Sequence, residues 1–277
     1  MAITAAQVKE LRDATNVSMM ECKKALEECN GNMEEAFKVL RERGMAVAAK
    51  RADKEANQGI IAASSTPDGK TIAMVEVNCE TDFAARNDSF KAFVDEVAQK
   101  ALETDEPLSE VLADELIEKV ASIGENLKIR RNARYQLQAP GLLGSYIHMG
   151  GKVGVLIEVS CEKEASAQDP KFAELVKDLT LHIAAAAPAY LKSDEVPADV
   201  LEAERNIYAK QVEGKPENII DKIVDGKIRK YYSDVCLVDQ PFVKEPKMSV
   251  TDLLNSVAKE LGDTFAIRRF ERYQLGA

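Results

Sequence analysis

The strongest constraint on this chain is that it repeats itself. Residues 59–80 read GIIAASSTPDGKTIAMVEVNCE and residues 141–162 read GLLGSYIHMGGKVGVLIEVSCE, an offset of 82 without a gap. Gly59/Gly141, Gly69/Gly151, Lys70/Lys152, Glu76/Glu158, Val77/Val159, Cys79/Cys161 and Glu80/Glu162 are identical, and the register continues through Phe90/Phe172, Phe93/Leu175, Val94/Val176 and Val97/Leu179. A second match pairs ENLKIRRNARYQL (125–137) with DTFAIRRFERYQL (263–275) at an offset of 138, so 56 residues are inserted into the second copy. A fold for this chain must therefore contain one unit twice, the second time interrupted.

Each copy reads as ββαβ. Two β-rich runs flank a glycine turn, Pro67-Asp68-Gly69-Lys70 in one and Met149-Gly150-Gly151-Lys152 in the other, which is hairpin chemistry. An amphipathic helix follows, at about 87–102 and 170–187, and a last strand closes the unit. The first copy carries a further helix near 109–121. Strand alternation sets Ile129, Arg131, Ala133 and Tyr135 on one face and Arg130, Asn132, Arg134 and Gln136 on the other, the second set solvated or paired with acid. The class is α+β, with two antiparallel three-stranded subdomains.

Ahead of the repeat, residues 1–44 carry three helix starts: Thr4-Ala5-Ala6-Gln7, Ser18-Met19-Met20-Glu21 and Asn32-Met33-Glu34-Glu35. All three have capping-box form, and Gly31 and Gly44 fall where helices want a left-handed terminus. Helices are expected at 5–15, 19–29 and 33–43. Met19, Cys22, Leu26 and Cys29 make one apolar stripe, a core face; Met20 lies off it, a candidate surface contact. Residues 45–57 read as a linker, 58–140 as the first core subdomain, and 141–187 with 246–277 as the second. The insertion, 188–245, is a helical hairpin opened by Pro197 and broken at Gly214-Lys215-Pro216.

Composition excludes several chemistries. The formal net charge of −10 disfavours nucleic-acid binding, which depends on neutralising phosphates. No apolar run is long enough to span a membrane, and the start shows no signal-peptide block. Five cysteines without CxxC spacing suit reduced thiols in the cytoplasm. Only His148 and His182 are present, and neither has a nucleophile or metal-ligand set around it. There is no P-loop and no GxGxxG. No enzyme, cofactor or metal site is expected.

One segment breaks the repeat. After Cys79-Glu80 the first copy reads Thr81-Asp82-Phe83-Ala84-Ala85-Arg86-Asn87, where the second reads Lys163-Glu164-Ala165-Ser166-Ala167-Gln168-Asp169. Loops on a rigid scaffold are where function concentrates. Phe83 either packs beneath the following helix or projects with Asp82 as an aromatic wedge; its apolar character alone favours burial.

With TAAQVKELRDATNVSMMECKKALEECNG at the start, CETDFAARN in the divergent loop, and LGSYIH and QPFVKEP further on, the chain resembles the translation elongation factor Ts family from residue 3 to about 275. The resemblance implies a three-helix UBA-like domain, two core subdomains, a coiled-coil hairpin, and guanine-nucleotide exchange on the GTPase elongation factor Tu without a chemical step. It implies that Asp82 and Phe83 intrude near the partner's Mg²⁺ and phosphate site, within a contact loop of Thr81, Asp82, Phe83, Ala84, Ala85, Arg86 and Asn87. Leu11, Met19, Met20 and Lys23 would engage the GTPase domain, and His148 the partner's other domains. A homodimer or a 2:2 complex with elongation factor Tu is left open. Three departures stand out: Thr15-Asn16-Val17-Ser18 lacks the family's turn glycine, Ala84 replaces a larger apolar residue, and the sequence ends at Leu275-Gly276-Ala277, where some relatives continue into a further helical module. The expectation is that affinity then rests on the other surfaces.

Overall fold

The computed structural model describes residues 3–15, 17–212 and 216–277, and for Glu217 and Asn218 the backbone only. Asn16 of the expected turn, and Gly214 and Lys215 of the expected helix break, lie outside the described residues.

The first three helices are α1 (Ala5–Thr15), α2 (Met19–Glu28) and α3 (Met33–Arg51). All three N-caps form, but among the described bonds the reciprocal pair of a capping box is made only at Thr4 and Gln7. The Thr4 N–H donates to Gln7 Oε1 (3.0 Å) while Thr4 Oγ1 accepts from the Gln7 N–H (3.3 Å). Ser18 Oγ accepts from the Glu21 N–H, and Asn32 Oδ1 from those of Glu34 and Glu35. Val8, Leu11, Cys22, Ala25, Leu26, Ala36 and Leu40 are buried together. Met19 departs from the expected core stripe and is exposed. The larger difference is α3, which does not stop at 43. Gly44 is helical and buried, and a Cβ there would lie 3.0 Å from Ala121 Cβ. This glycine permits close approach of two helices instead of capping one, so α3 runs from the three-helix cluster onto the body. The Arg41 guanidinium donates to Asp114 Oδ2 (2.9 Å) along the same contact.

The first repeat is β1 (Gln58–Ser65), β2 (Thr71–Cys79), α4 (Asp82–Arg86), α5 (Asp88–Lys100), α6 (Leu108–Val111), α7 (Ala113–Ile123) and β3 (Leu127–Gln136). The second is β4 (Gly141–His148), β5 (Val153–Cys161), α8 (Glu164–Ala167) and α9 (Pro170–Ala186), then the insertion with α10 (Ala198–Lys210) and α11 (Glu217–Val235). The small hairpin β6 (Pro241–Phe242) and β7 (Glu245–Ser249), α12 (Val250–Leu261) and β8 (Phe265–Gln274) complete it. The helix expected only in the first copy has a counterpart: α12 precedes β8 as α7 precedes β3, and both end at a left-handed glycine, Gly124 and Gly262. Its sequence diverged while its place was kept.

Both sheets are antiparallel, ordered β1-β2-β3 and β4-β5-β8. Each has one irregularity at the same place, between Glu76 and Val77 and between Glu158 and Val159, which leaves Arg130 and Arg268 without a register partner. A bulge adds one residue and reverses the alternation beyond it. Ile129 therefore packs among α5 and α7 in the first core, whereas Tyr135 faces the opposite side. Strict alternation would put both on one face. Asn132 and Arg134 are paired, not solvated. Asn132 Oδ1 accepts from the Leu108 N–H (3.0 Å), and Arg134 donates to Leu102 O (2.8 Å) and Asp105 Oδ2 (3.1 Å).

Helices cover one face of each sheet, burying two separate cores. The other faces meet through Ile61, Ile72, Met74, Tyr135, Leu156 and Tyr273. Across this contact the two copies exchange partners. The Arg131 guanidinium carbon lies 4.1 Å from the Tyr273 ring centroid, and that of Arg269 lies 4.0 Å from the Tyr135 ring. The Arg131 guanidinium also donates to Glu76, and that of Arg269 to Glu158, each at 2.7 Å. Glu76 is fully buried, its other oxygen accepting from Asn78 Nδ2 and the Gly276 N–H. These matched carboxylates are structural.

Candidate functional site

The divergent loop follows β2, the strand buried along its whole length. Its base is tied down first. Glu80 Oε1 accepts from the Arg51 guanidinium (2.7 Å) and the Asn126 N–H (2.6 Å), joining the end of α3 to the entry of β3. The Asn126 N–H, with Arg51 beside it, holds the Glu80 carboxyl below the usual carboxylate range. The Cys79 thiol donates to Thr81 O (3.2 Å), and burial pushes its pKa up to about 12, so it is no nucleophile.

Thr81 caps α4, with its Oγ1 accepting from the Ala84 N–H (3.1 Å). Glu125 grips the same residue twice: Oε2 accepts from the Thr81 N–H (3.0 Å) and Oε1 from its hydroxyl (2.6 Å). Asn87 closes α4 and caps α5 through the Ser89 N–H (2.8 Å). Ala84 and Ala85 are buried in the first core, and Asp82 pairs with Arg86 at 2.9 Å across one helical turn. With that face buried, Phe83 points outward and is 79% exposed. Burial of Phe83, favoured by its apolar character, is overturned. The loop's small residues Ala84 and Ala85 occupy the space beneath α4, so the ring has nowhere inside to go. The counterpart α8 has no side-chain cap and carries Ala165 at the equivalent position.

The remaining candidates form two other patches. Met20 is 63% exposed, with Met19 and Lys23 on the outer side of α2, whereas Leu11 is only 1% exposed and supports that surface from within. Phe37 and Met45 add exposed apolar area on α3. His148 ends β4, exposed, with its Nδ1 2.8 Å from the Tyr146 hydroxyl and next to the exposed Met149. His182 belongs to no site. It is buried, its Nδ1 accepting from the Val243 N–H and its Nε2 2.9 Å from Gln240 Oε1, and burial pushes its pKa down. That neutral ring fastens α9 to the QPFVKEP hairpin. Among the described residues no helix is long and apolar enough to cross a membrane.

The family model described as Elongation factor TS matches residues 80–277, beginning at the base of this loop. Among curated proteins, the elongation factor Ts of a Nitratiruptor species is 46% identical, covering 100% of this chain and 94% of the relative. That of Trichlorobacter lovleyi is 44% identical over 100% of this chain and 93% of the relative. That of Clostridium perfringens is 44% identical over 99% and 93%. The chain belongs to the elongation factor Ts family. It is thereby a factor of translation elongation in protein biosynthesis.

Within this elongation factor Ts fold, the exposed aromatic is legible from the break in the repeat. Glu125 escapes sequence reasoning, although a signal exists: it aligns with Asp263 at the head of the second match. Asp263 performs the equivalent task, accepting from the Glu162 and Lys163 N–H groups (3.2 and 3.1 Å). An acid at the entry of the last strand thus anchors the strand-to-helix loop in both copies.

Proposed function

We propose that this chain is a guanine-nucleotide exchange factor for elongation factor Tu. It binds the GDP complex and inserts Asp82 and Phe83 near the partner's Mg²⁺ and phosphate site, so that GDP leaves and GTP enters. No bond is made or broken, and the factor is not an enzyme in the chemical sense. The observation that carries this reading is the exposed Phe83 ring on a short helix fixed at both ends. An apolar ring held in water costs free energy, and a rigid aromatic anchor binds with little loss of conformational entropy.

Linkage sets what such a factor must do. If it lowers GDP affinity by some ratio, GDP lowers its affinity by the same ratio. GTPases hold their switch segments through Mg²⁺ and phosphate contacts, so a wedge at that corner has large leverage. Thr81, Ala84, Ala85, Arg86 and Asn87 shape and support the wedge. Met19, Met20 and Lys23, with Leu11 beneath them, grip the GTPase domain, and His148 meets the partner's other domains. The layout is a UBA-like domain (1–44), a linker (45–57) whose residues up to Arg51 continue α3, core subdomains 58–140 and 141–187 with 246–277, and a coiled-coil hairpin (188–245). The protein works in the cytoplasm.

The test is release of a fluorescent GDP analogue from elongation factor Tu. Acceleration by the wild-type chain is expected; no acceleration overturns the assignment.

A further inference from the structure

One helix belongs to two cores. Ala36 and Leu40 of α3 are buried in the three-helix cluster, whereas Ala48, further along the same helix, packs against the core of the first sheet. Gly44 lies between them. Glycine weakens a helix interior, but the run Met45-Ala46-Val47-Ala48-Ala49 is rich in the best helix former, and α3 passes through the junction unbroken. α7 lies beside it and runs in the same direction. Arg41 meets Asp114, Gly44 meets Ala121, and past both helices Asn126 Nδ2 donates to Lys54 O (2.7 Å). A cavity of about 170 Å³, lined by Thr15 and Val17 of the α1–α2 turn and by Ile117 and Ser122 of α7, separates that turn from α7. The close contact is therefore carried by α3.

Both helices lead to the wedge. Arg51, the last residue of α3, donates to Glu80 at the base of the loop. Glu125, directly after the left-handed Gly124 that ends α7, holds Thr81. Thr81 in turn caps the helix that presents Phe83. At its other end α3 packs on α2, whose outer side carries Met20 and Lys23.

We propose that α3 and α7 form a strut that fixes the Met20 surface relative to the Phe83 wedge, with Gly44 and Arg51 as its positioning residues. This deepens the exchange reading and rests on it. Two surfaces that engage one partner act together when the span between them is held at the matching length; a loose span lowers the effective concentration of the second contact. It also moves the ordering cost into the binding step. A fixed span lets the grip of the three-helix cluster hold the ring at its target.

The first test needs no partner. Gly44→Leu drives α3 off α7, and Arg51→Gln releases α3 from Glu80. In each variant of the intact chain, amide exchange at Thr81 and Ala84 should speed up about threefold or more through local opening, while the amides of β5 keep their wild-type rates. Ala46→Leu places the same side chain at an exposed position of α3 and should change none of them. Arg51, partly exposed at the helix end, keeps the test valid should Gly44→Leu fail to fold. Wild-type protection at Thr81 and Ala84 in both variants, or an equal loss in Ala46→Leu, overturns the proposal.

The second test is GDP release from elongation factor Tu over a range of factor concentrations. Both variants should lower the rate at saturating factor by about fivefold or more. A mere loss of folded protein would shift the concentration needed and leave that plateau unchanged. A wild-type plateau in both variants overturns the proposal. Should the wild-type chain itself fail to accelerate release, the exchange reading falls, and the amide test still decides whether the strut exists.

Discussion

Glu125 holds Thr81 by both its amide and its hydroxyl, at 3.0 and 2.6 Å. The hydroxyl that donates to Glu125 simultaneously accepts from the Ala84 N–H, so one carboxylate orients the cap of the helix that presents Phe83.

Glu125→Ala should therefore loosen α4 without unfolding the sheet. Loss of a cap costs about 1 kcal/mol, and here the loss is local. Amide exchange at Ala84 should speed up and GDP release should slow, while the global unfolding midpoint moves little. Wild-type protection at Ala84 together with wild-type exchange activity would show that the clamp is dispensable.

Phe83→Ala separates function from stability. A side chain that is 79% exposed contributes little to the fold, so stability should stay within about 0.5 kcal/mol of wild type. Truncating an aromatic anchor at an interface typically costs about 2 kcal/mol or more, and GDP release should fall accordingly. Full activity in this variant would remove the wedge while leaving family membership intact.

Gly154 lies where the two sheets meet. A Cβ there would sit 2.5 Å from both Ile61 Cγ2 and Met74 Sδ. Gly154→Ala should destabilise by roughly 1–3 kcal/mol through overpacking, measured by urea unfolding. Gly226, helical in α11 with open space around its position, provides the contrast. There the same substitution should stabilise by about 0.5–1 kcal/mol through helix propensity.

Asp263 should leave an acid signature. Burial works to raise its pKa, but hydrogen bonds from the Ser166 hydroxyl and the Thr264, Lys163 and Glu162 amides outweigh it, bringing it to about 2 from 3.8. The folded state then holds the proton less tightly than the unfolded chain. Its contribution is complete above pH 3.8 and lost as the pH falls towards 2, in line with proton linkage. Asp263→Asn should flatten the unfolding midpoint across that window relative to wild type.

Much of this is readable from residues alone. The duplicated unit, the hairpins, the three capped helices and the inserted helices all follow from periodicity and turn chemistry, which act locally. What escapes is non-local. Gly44 resembles a helix terminus because its partner, Ala121, lies far along the chain. Ile129 and Tyr135 fall on one face by strict alternation because a bulge has no signature in a run of arginines. Phe83 is drawn inward by its hydrophobicity, although the small residues beside it already take the interior. The second repeat's α12 is hard to see because, at the offset of 138, only Asp252, Leu254 and the terminal Gly262 are identical to their counterparts in and just after α7.

The exchanged arginine–tyrosine stacks make the two copies interdependent. Each copy's cation rests on the other copy's ring, so a change to Tyr135 is felt by Arg269 and a change to Tyr273 by Arg131. Neither copy supplies both members of a stack, so a single unit cut from this chain would leave one arginine and one tyrosine without their partners.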